Sequence, residues 1–184
     1  TRINVRGRVR LRIISSLVNE VLDQTIFSFH QKYPAVEIII DVAPWADVVK
    51  SLLQDEIDIG LAPSRAMRSE IKYQHLFSEV HRPYCGKSHH LYNHVIDDPG
   101  LLADERFILT GADEPDELTD FRLRHGLGRT SAGMSEHLEE AKRLAVLGVG
   151  LCFLPEALAQ PYVEAKRLWP VLTGADVPKM DVLS

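Results

Sequence analysis

The sequence predicts an α/β protein made of two lobes, each built on a parallel sheet. Strand and helix patterns alternate through residues 8–62, and the pattern starts again from His89 and continues to residue 154. Nearly continuous apolar runs, which suit strands covered on both faces, occur at residues 36–42 and 149–154. A length of 184 residues allows about one ordinary domain or two small lobes.

The first half of the chain has the order β-α-β-α-β. Residues 8–14 alternate between arginines and apolar residues, a period of two that predicts a strand. The arginines Arg8, Arg10 and Arg12 suggest either a phosphate site or, with the acidic composition, a solvated strand face. Apolar residues spaced three and four apart over 17–29 predict a helix, with Ser15–Ser16 as its N-cap and Pro34 ending it.

Two more strands and a helix complete this half. Strands are predicted at 36–42 and 57–62, with a loop at 44–47 and a helix from Val48 between them. Crossover connections between parallel strands are right-handed, so this order forms a doubly wound parallel sheet.

The second half repeats the alternation after an irregular stretch. Residues 76–86 contain one or two strands, and Pro83 favours an edge or crossing segment over a central strand. Further elements are predicted in the order strand 107–110, acidic turn 113–117, helix 118–124, weak strand 129–135, helix 138–147 and strand 149–154. The expected lobes are residues 7–86 with 178–184, and residues 87–177.

Composition excludes several classes of protein. The net charge of −5 disfavours direct binding of nucleic acid, because phosphate contacts need clustered lysine and arginine. The longest apolar run, residues 145–154, is too short to span a bilayer, so no membrane partner is expected. Cys85 and Cys152 lack zinc or C-x-x-C spacing and are interpreted as buried apolar residues of a cytoplasmic protein.

Catalytic and metal motifs find little support. His89, His90 and His94 lie close in sequence, but a metal site needs a third ligand and a matching context, so we expect neither metal nor cofactor. Nucleophile-elbow, P-loop and dinucleotide-binding patterns are absent, and no catalytic residue is assigned. The acidic residues Asp113, Glu114, Asp116 and Glu117 are interpreted as a solvated helix start.

A binding site is the better prediction. Ser15 and Ser16 fall where the first strand gives way to the first helix, where N–H groups and hydroxyls suit a carboxylate, although a plain helix cap is the alternative. Trp45 and the Ala62–Pro63 strand end follow the next two strands. Open α/β sheets bind ligands at the carboxyl ends of their strands.

The order of short motifs resembles the effector-binding domain of LysR-type transcriptional regulators. The resemblance runs from about residue 7 to 183, through Gly-Arg-Val-Arg-Leu-Arg-Ile, Phe-His-Gln-Lys-Tyr-Pro-Ala-Val-Glu-Ile, Leu-Leu-Gln-Asp-Glu-Ile-Asp-Ile-Gly-Leu, His-His-Leu, Phe-Ile-Leu and Leu-Ala-Val-Leu-Gly-Val-Gly-Leu-Cys-Phe-Leu-Pro. Each motif alone is weak, whereas their order and spacing together are specific.

The resemblance implies a type 2 periplasmic-binding-protein-like fold, in which two Rossmann-like lobes hold a ligand cleft between them. It implies a small effector, often a carboxylate or aromatic acid, a homodimer or homotetramer, and DNA contact only through an N-terminal helix-turn-helix, which we expect upstream of this chain. The ligand-binding positions it implies, together with the strand-end residues, are Ser15, Ser16, Trp45, Ala62, Pro63, Thr110, Gly111, Ser135 and His137. Pro44–Trp45 replaces a usual polar pair, which favours an aromatic or apolar ligand or a narrowed cleft.

Two other functions share this scaffold. A periplasmic solute-binding protein of a transporter would carry a secretion signal upstream instead of a helix-turn-helix. An enzyme on a similar scaffold would need a nucleophile and base that the sequence does not suggest.

Overall fold

The computed structural model describes residues 5–65, 67–111, 114–174 and 176–184. These residues form two compact units, the first reaching Leu76 and including Val182–Ser184, the second comprising Phe77–Asp181. The first division falls before the expected boundary at Gly86, because residues 81–86 pair with strands of the second unit. No helix among the described residues is both long and apolar enough to cross a membrane.

The first unit has the predicted β-α-β-α-β order. Its elements are β1 (Gly7–Ile13), α1 (Glu20–Lys32), β2 (Val36–Val42), α2 (Trp45–Leu53) and β3 (Ile59–Pro63). Strand β1 lies between β2 and β3 and is parallel to both. The end of β9 (Lys179–Leu183) pairs antiparallel with β3 through Val182 and Leu183.

The arginines of β1 each face an acid on a neighbouring segment. Arg8 Nε lies 2.6 Å from Glu37 Oε2, Arg10 Nη2 lies 3.1 Å from Asp58 Oδ1, and Arg12 Nη2 lies 3.7 Å from Asp41 Oδ2. Hydrogen bonds from the side chain and N–H of Arg10 hold the pKa of Asp58 below its usual range. The arginine face is therefore a row of cross-strand ion pairs on a partly exposed strand, not an open phosphate site.

Two local predictions in this unit were wrong. Helix α1 begins at Glu20, and its N-cap is Asn19, whose Oδ1 accepts hydrogen bonds from Val21 N at 2.9 Å and Leu22 N at 3.2 Å. Ser15 and Ser16 instead form a turn ahead of the helix. Trp45 was predicted in a loop, but it is the first residue of α2, directly after Pro44.

Strand β2 is parallel as predicted, but it is not covered on both faces. Ile40 and Val42 are 45% and 54% exposed. Among the described residues β2 pairs only with β1, so it is an edge strand. The apolar run alone could not distinguish this position from a central one.

The second unit contains the remaining elements. They are β4 (His75–Gly86), a 3₁₀ turn (Pro99–Leu102), β5 (Arg106–Leu109), α3 (Asp116–His125), β6 (Thr130–Met134), α4 (Leu138–Val146), β7 (Leu151–Pro155), α5 (Glu156–Glu164) and β8 (Leu168–Pro170). The strand order is β4-β7-β5-β6, with β8 also pairing to β4. Strand β5 is parallel to β6 and β7, whereas β4 is antiparallel to β7 and β8.

These elements confirm the predicted strands and helices between residues 107 and 154. Helix α5 and strand β8 were not predicted. Asp113 of the predicted acidic turn lies outside the described residues, and Glu114 is not solvated, because Arg122 Nε donates to its Oε1 at 2.6 Å and its side chain is largely buried.

Pro83 lies inside one continuous strand, β4, which begins in the first unit and continues into the second, as expected for a crossing segment. Pro83 is the register partner of Phe153 on β7, and its carbonyl accepts a hydrogen bond from Val171 N at 3.0 Å. Pairing between β4 and β8 begins only at Tyr84. The missing N–H of the proline therefore falls where the ladder with β8 ends.

Aromatic rings form the centre of the second unit's core. Phe107 stacks on Phe153 with ring centres 5.7 Å apart, and Phe121 of α3 meets Phe153 edge-on at 6.0 Å. All three rings are buried within one cluster that also contains Leu102, Leu118 and Leu151. Helix α3 is thus fixed to β7 by aromatic packing, and Phe153 of β7 in turn stacks on Phe107 of β5.

Replacing Phe121 with alanine should lower the free energy of unfolding by about 3–5 kcal/mol, because the side chain is 1% exposed and leaves a cavity. Leu123→Ala on the same helix is the matched control. Leu123 is 72% exposed, so its removal should change the free energy by less than about 0.5 kcal/mol. Denaturant unfolding of both variants measures the difference, and equal losses would contradict the packing described.

Candidate ligand-binding site

The carboxyl ends of three parallel strands meet at one edge of the first unit's sheet. Ile13 is in register with Val42 on one side and Leu61 on the other. Hydrogen bonds from Ala43 N to Ile13 O, at 2.9 Å, and from Ile14 N to Leu61 O, at 3.1 Å, extend this pairing beyond the strands. Ser15–Ser16, Trp45 and Ala62–Pro63 therefore all follow strands that end at this edge.

The serine turn supplies two hydroxyls at that edge. Ser15 and Ser16 are half-buried, and their Oγ atoms lie 3.4 Å apart. Ser16 has a φ of 57°, in the left-handed region that non-glycine residues seldom adopt. Glu20 and Asp23 occupy the first turn of α1, where their charge opposes an anion at that helix end. A carboxylate here would have to be bound by the hydroxyls and not by the helix dipole.

Three of the predicted residues line one cavity in this unit. Trp45, Ala62 and Pro63 border a space of about 320 Å³, together with apolar side chains of α2. Arg65 also borders it, with its guanidinium carbon 5.3 Å from the centre of the Trp45 ring. That distance is typical of a cation–π contact. Ser15 and Ser16 lie outside this lining.

Arg65 was missed from the sequence. It is two residues beyond the end of β3, and the signal that could have found it is a cation directly after a strand end that faces a tryptophan. Lys72 borders the same cavity, whereas Asp58 is already hydrogen-bonded to Arg10. The cavity thus combines an apolar wall with two cationic side chains and one carboxylate.

The predicted residues of the second unit also come together. Leu109 of β5 is in register with Met134 of the parallel strand β6, so the segments after both strands are neighbours. Ser135 N donates to Leu109 O at 3.0 Å, and His137 N donates to Ser135 Oγ at 3.2 Å. His137 is the N-cap residue of α4. Thr110 and Ser135 are half-buried, and His137 is exposed.

Gly111 fits the close approach of these two segments. Its φ is +78°, and a Cβ atom on it would lie 2.9 Å from Glu136 Cγ. The predicted site residues therefore form two groups, one at the strand ends of each unit.

A third polar group lies in the second unit, away from these residues in sequence. His90 Nε2 lies 2.8 Å from Glu105 Oε1, and His89 Nε2 lies 3.6 Å from Glu105 Oε2. The two imidazole rings stack with centres 4.7 Å apart. Burial lowers the pKa of His89 below its usual value, and this outweighs the opposing effect of the Glu105 charge.

Both cysteines are buried and unpaired, as predicted. Cys85 and Cys152 belong to two separate core clusters of the second unit. Burial raises the pKa of each thiol to about 12.

The whole arrangement matches one protein family. Residues 3–183 match the model described as LysR substrate binding domain. The chain is a LysR substrate binding domain. The solved structures it resembles show that it has the type 2 periplasmic-binding-protein-like fold of LysR regulatory domains.

Relatives of this LysR domain include whole regulators. The chain is 26% identical over 160 residues to the transcriptional dual regulator GltC of Bacillus subtilis, a match that covers 83% of this chain and 52% of GltC. The chain therefore spans about half the length of that curated relative.

Two solved structures illustrate the likeness in fold. The regulatory domain of CcmR from Synechocystis PCC6803, in complex with 2-PG, has a TM-score of 0.80 at 19% identity, covering 97% of this chain and 86% of that one. Full-length CbnR, complexed with its target DNA, has a TM-score of 0.74 at 16% identity, covering 96% of this chain and 62% of that one.

Replacing Gly111 with alanine should destabilise the domain by about 1–2 kcal/mol, because alanine is strained at positive φ and its methyl group would crowd Glu136. Gly174→Ala is the control, since a Cβ there meets nothing within 4 Å. Thermal and denaturant unfolding measure both. If Gly111→Ala were as stable as the control, the described approach of the two segments would be contradicted.

Neither cysteine should react with a thiol reagent at pH 8 in the folded protein. A pKa of about 12 keeps both thiols protonated at that pH, and both are buried. Reaction with an aromatic disulfide should therefore appear only on unfolding, with two thiols per chain. Rapid labelling of the native protein would contradict this and show that at least one of the thiols is accessible.

Proposed function

We propose that this chain is the effector-sensing domain of a LysR-type transcriptional regulator, and that its effector is a small organic anion with an apolar or aromatic body. The observation that carries the proposal is the cavity between α2 and β3 of the first unit, where Arg65 faces the Trp45 ring beside an apolar wall. A space of about 320 Å³ lies in the range of small-molecule sites.

The chemistry of the residues supports this class of ligand. The Arg65 guanidinium offers paired N–H donors whose geometry matches a carboxylate. The Trp45 ring and the aliphatic side chains of α2 favour an apolar body. The hydroxyls of Ser15 and Ser16 follow the neighbouring strand β1 and donate to the same kind of anionic group.

The second unit supplies a further set of polar groups. Thr110, Ser135 and His137 follow two adjacent parallel strands and are proposed to contact the effector from that unit. An effector that binds one conformation of the domain more tightly than another shifts the population towards that conformation. The effector can shift the equilibrium between the two conformations by no more than the difference between its affinities for them.

The regulator that contains this domain is proposed to be a cytoplasmic homodimer or homotetramer that contacts DNA through a separate helix-turn-helix module. The acidic charge of −5 supports division of the two tasks between modules. GltC is a transcriptional regulator, and full-length CbnR has been solved in complex with its target DNA. Both similarities support the same division between an effector-binding and a DNA-binding module. Because the family is one of regulators, we propose that the effector is bound without turnover.

A panel of small carboxylates, aromatic acids and amino acids should contain compounds that raise the melting temperature. Ligand at about 100 times its Kd adds about 2.7 kcal/mol, a shift of several degrees for a chain of this size. Ser16→Ala and Arg65→Gln should each weaken binding of a stabilising compound about tenfold, as expected for one hydrogen bond of about 1.5 kcal/mol to a charged group. Calorimetric titration measures the affinities.

Two control variants distinguish loss of the Ser16 hydroxyl from strain in the Ser16 backbone. Ser16→Gly also removes the hydroxyl but suits the φ of 57°, so it should bind as weakly as Ser16→Ala. Ser28→Ala, on the exposed face of α1, should bind like the original protein. Unchanged affinity in the Ser16 and Arg65 variants would overturn the site. Turnover of a bound compound would overturn the sensing function.

A further inference from the structure

We propose that His89, His90 and Glu105 form a binding site for a divalent transition metal ion such as Zn²⁺. The site lies wholly within the second unit and does not depend on the effector function proposed above. From the sequence, the histidines lacked a third ligand. The fold supplies it, because Glu105 comes from the segment before β5 and the histidines from the turn after β4.

The distances between the ligand atoms suit one ion. One ligand atom from each residue lies within 4.8 Å of the other two. Two ligands at about 2.1 Å from a tetrahedral ion are roughly 3.4 Å apart. The separations of 2.8 Å from His90 Nε2 to Glu105 and 3.6 Å from His89 Nε2 to Glu105 lie on either side of that value. Rotation of the side chains, with no backbone movement larger than this 4.8 Å spread requires, would bring the three atoms around one ion.

The backbone on both sides is held in place. His89 N donates to Gly86 O at 3.1 Å, at the end of β4, and Glu105 N donates to Leu102 O at 3.1 Å, directly after the 3₁₀ turn. Both anchors adjoin the buried core around Leu102 and Phe107. Binding an ion would thus order side chains only, with little loss of backbone entropy.

One side of the site is buried and the other is exposed to solvent. The side chains of His89 and Glu105 are 10% and 19% exposed, whereas that of His90 is 67% exposed. The first two residues give the ion a partly desolvated carboxylate and imidazole. The exposed side gives it an entry path and room for a water molecule as a fourth ligand.

The donor set determines the class of metal. Two imidazoles and one carboxylate suit Zn²⁺, Ni²⁺ or Cu²⁺, whereas Mg²⁺ and Ca²⁺ prefer oxygen ligands throughout. The Glu105 charge offsets part of the charge of the ion.

Metal binding must displace one hydrogen bond. Leu91 N donates to His89 Nδ1 at 3.2 Å, so the neutral ring carries its proton on Nε2, facing Glu105. An ion at Nε2 takes the place of that proton, and the ring then carries a proton on Nδ1, which no longer accepts from Leu91. The site is therefore expected to bind reversibly, more weakly than a closed four-ligand structural site.

The test is a Zn²⁺ titration of the chain, free of any histidine tag, by calorimetry at pH 7.5, with Co²⁺ absorption as a second readout. One equivalent should bind and raise the melting temperature, and Co²⁺ should give visible d–d bands. His90→Gln and Glu105→Gln should each lower the affinity at least about tenfold, as loss of a ligand costs no less than loss of a supporting contact. His90 is exposed, so its variant tests the site even if Glu105→Gln folds poorly.

His94→Gln is the matched control. His94 belongs to the same loop, but its Nδ1 lies 3.1 Å from the Tyr92 carbonyl oxygen and it is not part of the group. It should bind Zn²⁺ as the original chain does. The proposal is overturned if the original chain takes up no Zn²⁺, if His94→Gln loses as much affinity as His90→Gln, or if neither His90→Gln nor Glu105→Gln weakens binding.

Discussion

The parallel pairing of β1 with β2 and β3 is the constraint on which the candidate site depends. The register along β1 aligns Ile13 with Val42 and with Leu61, so three strands end together. Parallel strands need crossover helices, and each crossover leaves a segment at the carboxyl end of its strand. The serine turn, the start of α2 and the Pro63–Arg65 segment are neighbours for this reason. In the second unit, the parallel strands β5 and β6 likewise end side by side.

The way each helix begins determines what chemistry those ends can perform. Asn19 satisfies the first N–H groups of α1, and acidic side chains occupy its first turn. The serines lie in a separate turn ahead of the helix instead of capping it. Helix α2 begins at Trp45, which places an aromatic ring next to Arg65. In the proposed site, an anion bound to the first unit would consequently be held by side chains more than by helix dipoles.

Much of this could be predicted from the sequence, because the strong patterns are local. Alternation in β1, the spacing of apolar residues in α1 and the buried run of β7 each predicted an element that the structure contains. The errors arose where several residues competed for one role. Ser15, Ser16 and Asn19 are all good N-caps, and the turn geometry that favours Asn19 is not visible in a residue pattern.

Other features depend on tertiary neighbours. An apolar run such as that of β2 occurs in edge strands as well as in central ones. The strand order, which places β2 at the edge of the sheet, explains why Val42 is exposed. Pro83 is tolerated in β4 because the β8 ladder stops beside it. Arg65 and Glu105 were missed because their partners, Trp45 and the two histidines, come from other segments of the chain.

The most direct test of the central claim is an amide-resolved NMR titration of the chain with a compound that stabilises it. If the strand ends form the effector site, shift changes will concentrate at residues 15–16, 45 and 62–65 of the first unit and at 110–111 and 135–137 of the second. Changes confined to other surfaces, such as the outer face of α1 or helix α5, with those residues unmoved, would contradict the account.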